Sequence, residues 1–202
     1  MLYRTFIEHL RREYYRCNKC LLITVPKEYH LSPTDEKNRY DQHTNSSADL
    51  GYTKFLKRIV NPIIENTQEN DMGLDFGCGH SPILKGIFEQ QNRFLNEYDI
   101  YYRDDKSVFT KKWDFIISTE VAEHLTEPFK VIKQLWNMLK PEGVLGIMTN
   151  LYNPDTEFAS WYYKGDPTHI QFFSKETMEW IGNNLNATIE IIENDIIILK
   201  KI

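Results

Sequence analysis

Residues 72–88 are MGLDFGCGHSPILKGIF. A short apolar run ends in Asp75, passes through Gly77-Cys78-Gly79, and opens at Ser81-Pro82 into apolar residues at helical spacing. The stretch reads as strand, tight turn and helix. Ser81 is placed to cap that helix, Pro82 suits its first turn, and Ile83, Leu84, Ile87 and Phe88 form its buried stripe. In a sheet made of such units, ligands sit beyond the carboxyl ends of the strands, where this glycine turn lies.

The same alternation continues outward. FLNEYDI (94–100), WDFIIST (113–119) and VLGIMTN (144–150) predict strands. Residues 127–139 predict a helix with Phe129, Ile132, Leu135, Trp136 and Leu139 inward, stopped by Pro141. Another helix starts at Ser174, with Phe173 and Met178 placed as a hydrophobic staple. ATIEIIE and DIIILKK then predict a closing antiparallel pair around Asn194-Asp195.

Upstream, residues 49–64 carry Tyr52, Phe55, Leu56, Ile59, Val60 and Ile63 at helical spacing, with Ser46 or Ser47 as cap. Leu2, Phe6, Leu10 and Tyr14, four apart, predict a short amphipathic helix over 2–15. Residues 21–45 are polar and irregular, with Pro26 and Pro33. Strands alternating with helices imply an α/β three-layer sandwich, its sheet mostly parallel and ending in an antiparallel pair. The expected division is residues 1–48, an N-terminal helix and irregular cap, and residues 49–202, the α/β domain.

The bulk numbers agree with one packed domain: 202 residues, 41% apolar and 13% aromatic. A net charge of −5 argues against extended nucleic-acid binding, although the first twenty residues hold five Lys/Arg against two Glu. No apolar stretch approaches the ~20 residues of a membrane span. The start, MLYRTFIEHLRREYYRC, is interrupted by charge and lacks a signal peptide's apolar centre. With three cysteines and no export signal, the expected location is a reducing cytoplasm.

A phosphate loop is excluded at Gly77-Cys78-Gly79, because no Gly-Lys-Ser/Thr follows. The dinucleotide pattern G-x-G-x-x-G fails at Pro82, which argues against an NAD enzyme. Asp75 lies two residues before Gly77, and Asp99 ends the next strand 24 residues later, placed to accept ribose hydroxyls. An acid instead of a lysine beside the ligand suits a cation, and S-adenosylmethionine carries a sulfonium and an ammonium.

LDFGCGHSP, YDI, WDFIISTEVAEHL and LKPEGVLGIMT together resemble the successive motifs of the class I S-adenosylmethionine-dependent methyltransferases. The resemblance covers residues 72–150 and implies a Rossmann-like fold. It implies that Asp75, Gly77 and Gly79 line the methionine end of the cofactor and that Asp99 holds its ribose. Thr119 and Glu120 would flank the methionine or the acceptor. Only 13 residues separate Asp99 from Trp113, too few for the helix and third strand usual in the family, so the sheet is expected to lack that strand. Asp104 or Asp105 would be left to face the adenine.

TEVAEHL places Glu120, Glu123 and His124 just past a strand, on one face if the segment is helical. With His169 of DPTHIQFF they form a candidate set for a divalent metal, and the mixed O/N donors suit Mn²⁺, Fe²⁺, Co²⁺ or Zn²⁺ as well as Mg²⁺. This E-x-x-E-H pattern is similar to that of small-RNA 2′-O-methyltransferases and of the O-methyltransferases of ubiquinone synthesis. Without metal, His124 or His169 is a candidate general base. Cys78 is expected to be a packing residue.

Residues 150–173 are rich in aromatics, of which Trp161 and Tyr163 are the candidates for lining an acceptor pocket, the others forming a satellite core. Cys17-Asn18-Lys19-Cys20 is half of a zinc ribbon without a second C-x-x-C. Arg39, Tyr40 and His43 precede the fold where such enzymes place a cap, which makes Tyr40 a candidate cofactor contact. The expectation is an O-methyltransferase of a small-molecule hydroxyl, with S-adenosylmethionine and a divalent metal. The alternatives are an RNA 2′-hydroxyl as acceptor and a regulatory protein that binds the cofactor without turnover. The oligomeric state and the acceptor's identity are not legible.

Overall fold

The computed structural model describes residues 3–7, 10–42, 50–81, 83–154 and 158–202; Leu2, His43, Ser46, Ser47 and Pro82 lie outside them. In chain order the N-terminal part holds β1 (Tyr3–Ile7), β2 (Arg12–Arg16), β3 (Ile23–Thr24) and α1 (Pro33–Tyr40). Then follow α2 (Leu50–Glu65), β4 (Met72–Phe76), α3 (Ile83–Glu89), β5 (Phe94–Tyr98), β6 (Trp113–Thr119), α4 (Pro128–Met138) and β7 (Leu139–Met148). The last part holds β8 (Gln171–Phe172), α5 (Lys175–Leu185), β9 (Ala187–Ile192) and β10 (Ile196–Lys201).

The main sheet has the order β5-β4-β6-β7-β10-β9. Its first four strands are parallel, and β10 runs antiparallel to both β7 and β9. This is the mostly parallel α/β sandwich with a terminal antiparallel pair. β5 is the edge strand, and residues 106–110 form a 3-10 helix where the usual third strand would fall. One face packs Leu74, Ile116, Leu135, Trp136, Ile181 and Leu199. The other packs Ile59, Ile63, Leu84, Phe88, Phe115 and Ile117 beneath α2 and α3. Ser174 caps α5 in a box with Thr177, and both Phe173 and Met178 are buried in the first cluster.

The N-terminus departs from expectation. Residues 3–16 are a β-hairpin, with Thr5 opposite Tyr14 and Ile7 opposite Arg12, instead of a helix. Arg11, at φ +51°, makes the reversal. The register sets Phe6 opposite Glu13 and Thr5 opposite Tyr14, so the spacing of four that suggested a helix does not mark one face of the hairpin. Nor is 21–45 irregular throughout. Ile23 and Thr24 pair with Phe172 and Gln171, and Ser32 caps α1 by accepting from Asp35 N, with Pro33 in its first turn. The result is a second, four-stranded sheet in the order β1-β2-β3-β8. α4 ends ahead of Pro141, because Leu139 is already extended (ψ 143°) and paired with Trp113. No helix among the described residues is long and apolar enough to cross a membrane.

Candidate active site

The glycine turn leaves β4 at Phe76 with Gly77 at φ +84° and Gly79 at φ +64°, values that an L side chain resists. A Cβ on Gly77 would also stand 2.2 Å from Val121 Cγ2. The N–H groups of Gly77 and Cys78 both donate to Tyr98 O, at 2.8 and 3.1 Å, which pins the turn to the end of β5. Asp99 completes the clamp. Its Oδ2 accepts from Gly79 N at 3.0 Å, while Oδ1 accepts from Tyr101 N at 2.8 Å and Tyr102 N at 3.2 Å.

Asp75 lies opposite Glu97 in the parallel register, both behind this turn. Asp75 Oδ1 and Glu97 Oε1 are buried with no hydrogen-bond partner among the described residues. Burial, with Glu97 and Asp99 adding to it, pushes Asp75 up to about 8. Arg103 Nε lies 3.5 Å from Glu97 Oε2. Unsatisfied buried carboxylate oxygens are costly, so this pair fits a ligand that brings positive charge. The ammonium and sulfonium of S-adenosylmethionine meet that requirement. The Cys78 thiol is pushed up to about 12 by burial and the three acids, which keeps it protonated and supports its packing role.

Glu120, Glu123 and His124 do not form one α-helical turn. Glu120 sits at φ +53° with its N–H donated to Met148 O, and only Ala122–His124 make a 3-10 turn. Such a conformation in a Glu is strained and is held here by its surroundings. Thr119, the last residue of β6, pairs with Met148. Glu123 is fully buried; its Oε2 accepts from Thr149 Oγ1 at 2.9 Å and its Oε1 from the Tyr163 hydroxyl. That hydroxyl also lies 3.2 Å from Glu120 Oε2, so one phenol joins two carboxylates. Burial and Glu123 push Glu120 up to about 8, and burial next to both acids raises Tyr163 as well.

His124 and His169 face each other at 4.9 Å between ring centroids. His124 Nδ1 lies 3.0 Å from Thr168 O, and His169 Nδ1 lies 2.7 Å from Tyr163 O. A carbonyl only accepts, so each Nδ1 carries a proton, and in the neutral ring Nε2 is then the nitrogen with the free lone pair. Burial lowers the His169 pKa and favours its neutral form. One atom each from Glu123, His124 and His169 lie within 4.8 Å of one another. Glu120 stands outside that group and reaches it through Tyr163.

The backbone brings His169 there. Ile170 N donates to Glu123 O at 2.8 Å, and Val25 N donates to Ile170 O at 2.8 Å. Arg12, buried in β2, donates to His169 O at 2.6 Å and to Asp166 O at 3.3 Å. Helix α1 closes the arrangement. The Tyr40 ring packs on Tyr101 and, edge-on, on His124. The Tyr40 and Tyr101 hydroxyls both donate to Glu36, at 2.8 and 2.5 Å.

Trp161 packs with Tyr152, Phe158, Tyr163 and Phe172 against the small sheet. Asp105 caps the 3-10 helix through Ser107 N, and Asp104 pairs with Lys106. Arg12, Glu36, Tyr101, Thr149 and Asp166 escaped the sequence reading. Only the Ser32-Pro33 start of α1 carried a local signal, since the other contacts join residues far apart in the chain.

Residues 48–190 match the profile of a family described as methyltransferase domain. The fold is similar to that of a SAM-dependent methyltransferase from Archaeoglobus fulgidus, at 17% identity and TM-score 0.58, over 74% of this chain and 94% of that one. It is also similar to 1,6-didemethyltoxoflavin-N1-methyltransferase from Burkholderia thailandensis, solved with 1,6-didemethyltoxoflavin and S-adenosylhomocysteine, at 10% identity and TM-score 0.55 over 98% of both chains. Among curated proteins, none matches the sequence.

Proposed function

The chain belongs to the methyltransferase-domain family as an S-adenosylmethionine-dependent methyltransferase, and we propose that it methylates a hydroxyl oxygen of a small molecule, held through a divalent metal ion at Glu123, His124 and His169. One observation carries this reading. Two imidazoles have their Nδ1 atoms tied to backbone carbonyls, and a ring nitrogen of each lies within 4.8 Å of a buried carboxylate oxygen. Imidazoles that hold a metal are commonly oriented by such a bond from the other nitrogen. Thr149 and Tyr163 orient Glu123 in the same way and leave each oxygen a further lone pair. The donor set of one carboxylate and two imidazoles suits Mn²⁺, Fe²⁺, Co²⁺ or Zn²⁺.

S-adenosylmethionine supplies a methyl group already activated on a sulfonium, and a divalent ion would lower the acceptor hydroxyl's pKa. The protein's part is alignment and exclusion of water. In this reading Asp75, with Glu97 beside it, meets the positive charge of the methionine end, and Gly77 and Gly79 let the turn approach it closely. Asp99 offers its one remaining lone pair, on Oδ2, to a ribose hydroxyl. Thr119 and Glu120 border the methyl group, and Tyr40 covers the site from α1. Tyr163 and Trp161 line the acceptor side. The net charge of −5 favours a small acceptor over RNA.

The test is calorimetric titration with S-adenosylhomocysteine before and after chelation, with elemental analysis of the same sample. Cofactor binding together with a stoichiometric metal that is lost in Glu123→Ala and His169→Ala supports the proposal. Cofactor binding with no metal taken up would overturn the metal and leave His124 or His169 as the base. Absence of binding would overturn the cofactor site itself. Turnover on an RNA 2′-hydroxyl, with none on vicinal diols, would overturn the small-molecule acceptor.

A further inference from the structure

Cys17 and Cys20 flank the tight turn that joins β2 to β3. The chain reverses there through hydrogen bonds from Leu21 N to Cys17 O at 3.0 Å and from Cys17 N to Leu22 O at 2.9 Å, with Leu21 at φ +58°. The backbone N–H of Lys19 donates to the Cys17 sulfur at 3.4 Å. The Cys17 and Cys20 thiols interact with each other, backbone N–H groups drawing the Cys17 pKa down while burial draws that of Cys20 up. Both cysteines are unpaired and half-buried. The turn therefore brings two thiols together, one of them facing a backbone N–H. A backbone N–H aimed at a sulfur favours its thiolate, as at Cys17.

We propose that the Cys17–Cys20 turn is a chelating site for a soft divalent ion, zinc foremost, bound through both Sγ atoms. Thiolates select such ions over the harder ones that the Glu123, His124 and His169 donors accept. A structural zinc takes four ligands, and the sole group of three or more candidate ligands among the described residues is the one at Glu123. The other positions are thus filled from outside this turn. A bound ion would brace the small sheet in which Arg12 anchors the His169 loop. The site is independent of the methyl-transfer chemistry proposed above.

The test is anaerobic titration of the reduced protein with Co²⁺, followed by displacement with Zn²⁺. Thiolate-to-cobalt charge-transfer absorption is expected in the near ultraviolet. It should vanish in Cys17→Ser and in Cys20→Ser, and persist in Cys78→Ser and in Glu123→Ala. Absence of that band at excess cobalt, or its survival in the double serine variant, would overturn the proposal. A second readout needs no variant: Zn²⁺ should protect Cys17 and Cys20 from alkylation, read peptide by peptide in a mass spectrometer. Equal labelling with and without zinc would also overturn it.

Discussion

Arg39 on α1 donates from both Nε and Nη2 to a single oxygen of Asp166, three residues before His169. A helix near the N-terminus thereby holds the loop that carries one of the two site imidazoles. Asp166 is itself fixed by Thr168 and held well below the usual carboxylate range by its hydrogen bonds from Thr168 and Arg39.

Arg39→Ala is expected to free α1 at a modest cost. The pair is partly exposed, so its loss should amount to about 1 kcal/mol, equivalent to about 2–4 °C in melting temperature for a chain of this size. The more specific sign is faster amide exchange in α1 and in residues 166–169. Unchanged exchange there would mean that the contact does not hold the helix.

Gly77→Ala meets two separate obstacles, the positive φ and the 2.2 Å approach to Val121 Cγ2. The backbone strain alone should cost about 1–3 kcal/mol. Val121→Ala in the same chain should recover the steric part and leave the conformational part. Denaturant unfolding of the two single variants and the double variant measures the coupling, and simple additivity would refute it.

Tyr163→Phe removes the hydroxyl shared by Glu120 and Glu123 while keeping the ring against His169. If Glu123 holds a metal, affinity for it should fall about 10–100-fold, the usual effect of losing an orienting partner. Affinity for S-adenosylhomocysteine should stay within about twofold. A parallel loss of both would place Tyr163 in the fold's support and not in the site.

Asp75 and Glu120 are each pushed up to about 8, from ordinary values of 3.8 and 4.5. Between those limits the folded chain keeps protons that the unfolded chain has released. Their contribution to stability is therefore full below about pH 4 and is lost as the pH rises through 8. A cationic ligand beside Asp75 favours its ionised form, so binding near pH 7 should release a proton. Calorimetry of S-adenosylhomocysteine in buffers of different ionisation enthalpy reads that release. Asp75→Asn should abolish it, and a binding enthalpy independent of buffer would contradict the placement of the cation.

What the sequence by itself determined was the main sheet. Apolar runs bounded by glycine, proline and capping residues are local signals; β4, β5 and β6 stand where their runs do, and β7 extends its run back to Leu139. The short interval between Asp99 and Trp113 likewise foretold the missing strand, since chain length limits what it can form. The glycine turn and the acids at 75 and 99 were legible for the same reason: strand order puts them at one sheet edge.

Tertiary structure decided the rest. The spacing of Leu2, Phe6, Leu10 and Tyr14 did not mark the hairpin, whose register puts Thr5 and not Phe6 opposite Tyr14, and pairing of β3 with β8, some 148 residues on, completed the small sheet. That His169 and not Glu120 joins Glu123 and His124 depends on Arg12 and on the bond from Ile170 to Glu123. Both are long-range contacts, and such contacts leave no periodic mark in the sequence because each partner's own neighbours carry no information about the other.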